Sequence, residues 1–210
     1  MDILFIFVNF LRGTTRHNLR LTKQFTSAGY TAALQNSASR AKYISGAMTY
    51  APFAPANPDC LFISPFAMSV MNDYRIEYDA ERIRLMKFPL LPSRLSATYA
   101  FGDFATCELV SKKYGWPLDT VRKFRLERDE LTRVHKCNME IISLMRHAYM
   151  VSSSSGRGDE LVWESYWSGH GNLQMELPDI DFKRKTYDSG EIWEYLIEGR
   201  LLLEEGQAST

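Results

Sequence analysis

Four histidines, three cysteines and a late run of glutamates are the side chains in this 210-residue chain whose chemistry comes first into question. His17, His135, His147 and His170 are dispersed, and no two share a helical face with an acid beside them, so a metal site is not expected. Cys60, Cys107 and Cys137 are odd in number and widely spaced, with no CxxC pair to suggest zinc or thiol–disulfide exchange; a reducing cytosol is the simplest home. There is no P-loop, no GxGxxG after a strand, no HExxH and no GxSxG, which removes the commonest nucleotide-binding, metalloprotease and hydrolase designs. Glu191, Glu194 and Glu198 remain, and taken by themselves they read as solvated charges at a strand edge. Tyr166-Trp167-Ser168-Gly169-His170 reads either as a wall of a cleft or as aromatics that anchor a loop.

The charge balance narrows the partners. Twenty-five basic residues offset 25 acidic ones, so no global field draws the chain to nucleic acid or to an anionic membrane. Lys112, Lys113, Arg122, Lys123, Arg125 and Arg128 do concentrate positive charge locally, where a nucleic acid or an acidic protein would dock. Glu127, Asp129 and Glu130 interrupt that cluster, and a solvated face is the preferred reading. With 45% apolar and 24% charged residues the composition is that of a soluble globular protein. The apolar opening Ile3-Leu4-Phe5-Ile6-Phe7-Val8 follows an acid and lacks a cleavage site, so it reads as a buried strand rather than a secretion signal. No membrane partner is expected.

The elements that must position any site follow from local patterns, and they are expected to form a single domain over 1–210. Arg12 to Arg16 suits a turn, and residues 31–44 predict one helix. Four prolines between 51 and 65 predict an irregular crossing around Leu61-Phe62-Ile63. From Tyr74 to Lys87, Ile76, Ala80, Ile83 and Met86 mark one face of an amphipathic helix that Pro89 stops. Leu95–Phe101 predicts a strand, Asp103 a cap, 104–114 a helix closed by Gly115, 120–126 a half-exposed strand and 131–147 another helix. Residues 151–159 have the composition of a flexible loop, and the chain closes with strands around 191–197 and 200–203 separated by Glu198-Gly199. The order of elements is an α+β pattern.

Three segments carry a resemblance. One runs from Ile76 to Tyr114: a helix with Glu and Arg, Phe88-Pro89, Pro92-Ser93-Arg94-Leu95-Ser96-Ala97-Thr98-Tyr99-Ala100-Phe101, then an acid-capped helix. The others are Trp193-Glu194-Tyr195-Leu196-Ile197 and the first strand with Arg12-Gly13 behind it. Together they resemble the ADP-ribosyltransferase-like superfamily, in particular an uncharacterised bacterial and phage branch. The first looks like its second motif, beneath the nicotinamide end of NAD, and the second is similar to the late strand that opens with the catalytic glutamate. No Ser-Thr-Ser triplet or Glu-x-Glu pair is present, Ile192 standing two residues before Glu194, which tells against the arginine-specific toxin subclass.

The resemblance implies an α+β fold with a bent mixed sheet split around an NAD cleft and flanked by helices. It implies a mono-ADP-ribosyltransferase with NAD as substrate and a macromolecular acceptor, protein or nucleic acid. Glu194 would be the catalytic carboxylate, because breaking the N-glycosidic bond develops oxocarbenium charge on the ribose. Arg12 would bind the diphosphate, Ser96 would orient the ribose or another carboxylate, and Tyr99 or Phe101 would stack on nicotinamide. Arg94 is equally expected to form a structural ion pair with Glu77 or Glu81. Two other readings are NAD hydrolysis without an acceptor and a non-enzymatic module on the same fold, such as a phage or mobile-element protein that blocks a host partner.

Overall fold

The computed structural model describes residues 2–50, 65–151, 157–178 and 183–204. In chain order the elements are β1 (Ile3–Phe7), α1 (Gly13–His17) with a π-type turn Asn18–Thr22, β2 (Gln24–Thr26), α2 (Ala28–Gln35), α3 (Ser37–Ile44), α4 (Pro65–Lys87) and β3 (Thr98–Ala100). There follow α5 (Phe104–Tyr114), β4 (Val121–Glu127), β5 (Arg133–Asn138), α6 (Met139–Val151), α7 (Arg157–Trp167), β6 (Gln174–Pro178), β7 (Arg184–Asp188), β8 (Trp193–Glu198) and β9 (Arg200–Leu203). The α+β class holds. Two compact units result, one of Met1–Met48, Leu90–Lys136 and Trp193–Thr210, the other of Thr49–Pro89 and Cys137–Ile192. Among the described residues no helix is long and apolar enough to cross a membrane.

The first unit holds a four-stranded sheet in the order β1-β4-β9-β2 and a three-stranded sheet β3-β8-β5. β1 pairs antiparallel with β4, with Phe5 opposite Lys123 and Leu4 opposite Phe124. Alternation decides the faces: Leu4, Ile6, Val8, Phe124, Leu126 and Leu201 fill one core with Ala100 and Ile197. A bridge between Phe5 and Phe101, with backbone bonds of 2.7 and 2.8 Å, joins the sheets. A second cluster of Tyr30, Ala33, Tyr43 and Leu131 seats α2 and α3. The helix expected over 31–44 is two helices, because Asn36 adopts an extended backbone and its side chain accepts from Ser39 N at 2.7 Å as an N-cap.

Other boundaries move for local reasons. The strand expected from Leu95 shortens to Thr98–Ala100, since Ser93 O accepts from the N–H groups of Ser96 and Ala97 and closes a turn over 93–96. The helix expected over 131–147 gives its first third to β5, which lies beside β8, and α6 starts only at Met139. The turn at Arg12–Arg16 includes the short α1. The expected crossing at 51–64 and most of the 151–159 loop lie outside the described residues, and α7 begins at Arg157.

In the second unit Ile76, Ala80 and Ile83 are fully buried, as the helical spacing requires, but Met86 is exposed. α7 supplies Trp163, Tyr166 and Trp167 to the interior, Trp167 Nε1 donating to Ala80 O at 2.7 Å. Tyr166 and Trp167 are therefore packed helix residues and neither a cleft wall nor a loop anchor. Asn138 ends β5 with all its amide valences used: Oδ1 accepts from Glu140 N and Ile192 N, while Nδ2 donates to Gly171 O and Gly190 O. The β6/β7 hairpin, not expected from its polar sequence, covers Leu144 and Ala148 of α6 through Leu177.

α5 matches its expected span, with Asp103 Oδ1 accepting from Thr106 N at 2.7 Å and Gly115 closing it at φ 70°. Each end device is worth about 1 kcal/mol, and about 16 Å of helix separates them. Asp103→Ala and Gly115→Ala are each expected to lower unfolding free energy by about 1 kcal/mol in urea titration, and the double variant by about their sum.

Candidate functional site

β8 reads WEYLIE, and the two-residue period places Glu194, Leu196 and Glu198 on one face. Two carboxylates flank a leucine there, about 13 Å apart along the strand, too far to share a proton. Both are buried, so neither is the solvated edge charge that composition suggests. β3 lies beside them, with Thr98 opposite Ile197, Tyr99 opposite Leu196 and Ala100 opposite Tyr195.

The turn over 93–96 serves both carboxylates. Arg94 Nη1 donates to Glu194 Oε1 at 3.2 Å, the two side chains each being 7% exposed. Its guanidinium lies 5.2 Å from the Tyr99 ring centroid, and the Tyr99 hydroxyl donates to Arg94 O at 2.8 Å. Ser93 N donates to Glu198 Oε1 at 3.2 Å. The Ser96 hydroxyl also bonds the Glu198 carboxylate, and Ser96 Oγ accepts from Gly29 N at 2.6 Å, tying the start of α2 to the same group. Ser27 Oγ accepts from Gly199 N at 3.1 Å on the other side.

Arg133 completes the surroundings of Glu198. Its Nη1 stands 3.9 Å from Glu198 Oε2, its guanidinium lies 4.0 Å from the Tyr43 ring centroid, and it donates to Tyr43 O. Burial pushes the Glu198 carboxyl above the ordinary glutamate value, and the bonds from Ser93 and Ser96 and the charge of Arg133 offset that only in part. The Arg94–Glu194 pair is a different case: both charges are matched, and removing one partner of such a pair costs about 3–5 kcal/mol.

Of the residues named from the sequence, Glu194, Ser96 and Tyr99 meet around this turn. Phe101 does not; it is 3% exposed and packs edge-on against Phe7 at 5.9 Å, as core. Arg12 is exposed just before α1 and has no ion-pair partner among the described residues. Arg94 pairs with Glu194 in the first unit, and Glu81 pairs with Arg84 at 2.8 Å in the second. The Cys107 thiol is pushed up to about 12 by burial, which excludes it as a nucleophile at neutral pH. No group of metal-ligating side chains occurs among the described residues.

Glu198, Ser93 and Arg133 were not legible as site residues. Glu198 reads from the sequence as a solvated strand-edge charge and half of a Glu-Gly turn, although the four-residue spacing from Glu194 along a strand already puts both acids on one face. Because its carboxyl is raised in the folded protein, Glu198 stabilises most while protonated, and that contribution is lost as pH rises from the ordinary value of about 4.3 through the folded value. Glu198→Gln is therefore expected to gain melting temperature relative to the parent as pH is raised from about 4, with the gain levelling off above the folded value. A difference that does not change with pH would contradict the burial of an ionisable group at this position. No protein-family model matches the chain, and no curated protein matches it.

Proposed function

We propose that the first unit carries NAD-dependent transfer of ADP-ribose to a macromolecular acceptor, on an ADP-ribosyltransferase-like arrangement. One observation carries the reading: the two segments that resemble that superfamily, 92–101 and 193–197, are neighbours in space, paired through Tyr99 and Leu196. Their meeting puts a buried carboxylate, a guanidinium, a serine hydroxyl and a half-buried tyrosine around one turn. In this reading Arg94 neutralises Glu194 until the diphosphate of NAD competes for the guanidinium. Glu194 is then released to hydrogen-bond the ribose 2′-hydroxyl and to stabilise oxocarbenium charge as nicotinamide leaves. Tyr99 offers a ring face for nicotinamide, and Ser96 fixes the turn. Arg94 takes the diphosphate role here in place of the exposed Arg12.

A non-enzymatic module is favoured by a different feature of the same pair. A carboxylate already matched by a buried arginine has a sufficient structural role, and a binding protein needs no more. Glu194→Gln separates the two readings when NAD turnover, NAD affinity and melting temperature are measured together. The substitution removes one buried acid partner of Arg94, so some stability is lost in either case. Catalysis by Glu194 predicts a folded variant that keeps or gains NAD affinity, since the diphosphate no longer competes for Arg94, and loses on the order of 10²-fold in turnover. Turnover equal to the parent would remove Glu194 from the chemistry.

A further inference from the structure

The positive cluster of β4 is divided by its partners. At the Glu127 end the arginines are matched by acids: Arg125 Nε to Glu204 Oε1 at 3.0 Å, Arg128 Nε to Asp2 Oδ1 at 3.2 Å, and Arg200 Nη1 to Glu127 Oε2 at 3.3 Å. At the Val121 end Lys123 has no carboxylate partner among the described residues. Register gives these charges a direction. Lys123 lies opposite Phe5 and Arg125 opposite Ile3, so all four belong to the face away from the Leu4 and Phe124 core.

Aromatic rings cover that face. Phe104 meets Phe5 edge-on at 6.0 Å, Trp116 meets Phe7 at 5.3 Å, and Tyr114 lies 6.0 Å from Trp116 with Lys113 over its ring at 5.6 Å. Phe104 and Trp116 remain 42% and 41% exposed, so each keeps ring surface open beyond its contact with the strand. Farther along the strand an open cavity of about 520 Å³ is lined by Arg125, Arg128 and Arg200 with Tyr30, Glu127 and Asp129. The ion pairs of its arginines are solvent-exposed, and exposed pairs hold their partners weakly enough for a phosphate to replace the acid.

We propose that this face binds a single-stranded nucleic acid, with bases stacked on Trp116 and Phe104 and phosphates passing over Lys123 to the arginine-lined cavity. The strand offers about 20 Å of length, room for about three or four nucleotides. The rings choose the single strand, since a paired base has no free face to stack on them. An acidic protein would use the cations and leave the rings without a role. The chain has no net charge, so the site acts through this local footprint alone. The proposal concerns binding and stands whether or not NAD is cleaved.

Fluorescence anisotropy with labelled oligo-dT and oligo-rU of about 12 nucleotides tests it, with a blunt duplex of equal length and polyglutamate as competitors. The expected result is binding of a single strand, a duplex at least about tenfold weaker, and a slope of log affinity on log salt of about −2, as two or three contacted phosphates give. Lys123→Gln should flatten that slope by about 0.7, whereas Phe104→Ala and Trp116→Ala should each weaken binding about tenfold or more at unchanged slope. Circular dichroism checks that each variant folds, and if the tryptophan variant does not, Lys123→Gln and Phe104→Ala decide. Lys185→Gln in the second unit should change nothing. Equal affinity for duplex, displacement by polyglutamate as effective as by oligonucleotide, or folded ring variants that bind like the parent would each overturn the proposal.

Discussion

Two buried carboxylates on one strand set the terms for the first unit. A glutamate taken out of water must be matched by charge or by hydrogen bonds, and Glu194 and Glu198 draw nearly all of theirs from residues remote in sequence. The turn over 93–96 reaches both, which fixes β3 against β8 in one register, because a shift by one residue would carry every side chain to the opposite face. Ser96 and Ser27 extend the same requirement to the start of α2, and Arg133 and Tyr43 extend it to β5 and α3. Secondary structure in this unit is thus keyed to a polar centre as much as to the Leu4–Phe124 core.

Such a centre restricts substitution unevenly. Leu196, between the two acids, is an ordinary apolar contact that other aliphatic side chains can replace at modest cost. Arg94 has no such freedom, because its donors face Glu194 while its flat guanidinium lies near the Tyr99 ring, and a lysine reproduces the charge without that planar geometry. The second unit treats charge similarly: Arg84 is buried with Glu81 one turn away on its own helix and also donates to Pro89 O.

Local grammar was readable wherever local residues decide. The Asp103 cap, the Gly115 stop, the Ile76-Ala80-Ile83 stripe and the β8/β9 pair separated by Gly199 all follow from neighbours within a few positions. The misreadings occur where a distant partner overrides propensity. Arg133–Asn138 runs directly into the apolar helical stripe of α6, so sequence alone continues the helix back through it, yet β8 beside it recruits it as a strand. Asn36 breaks a run that looks continuous because its side chain caps the following helix. In the candidate site, Glu194, Ser96 and Tyr99 were readable from motif likeness. Glu198 and Arg133 were not, because their roles arise only when the strands are brought together.

Asn138 has a consequence of another kind, for chemical ageing. Asparagine deamidates when the backbone nitrogen of the next residue attacks its side-chain carbonyl, which requires both groups to be free to move. Here the carbonyl accepts from Glu140 N and Ile192 N, the amide donates to two glycine carbonyls, and the nitrogen that would attack, Met139 N, is bonded to Ile192 O at 2.9 Å. Cyclisation must break several of these bonds before it begins. Its product would be worse than neutral, since an aspartate in that position turns an acceptor toward the carbonyls of Gly171 and Gly190 in a buried place. The bonds that join strand to helix therefore also protect the covalent identity of the residue that makes them.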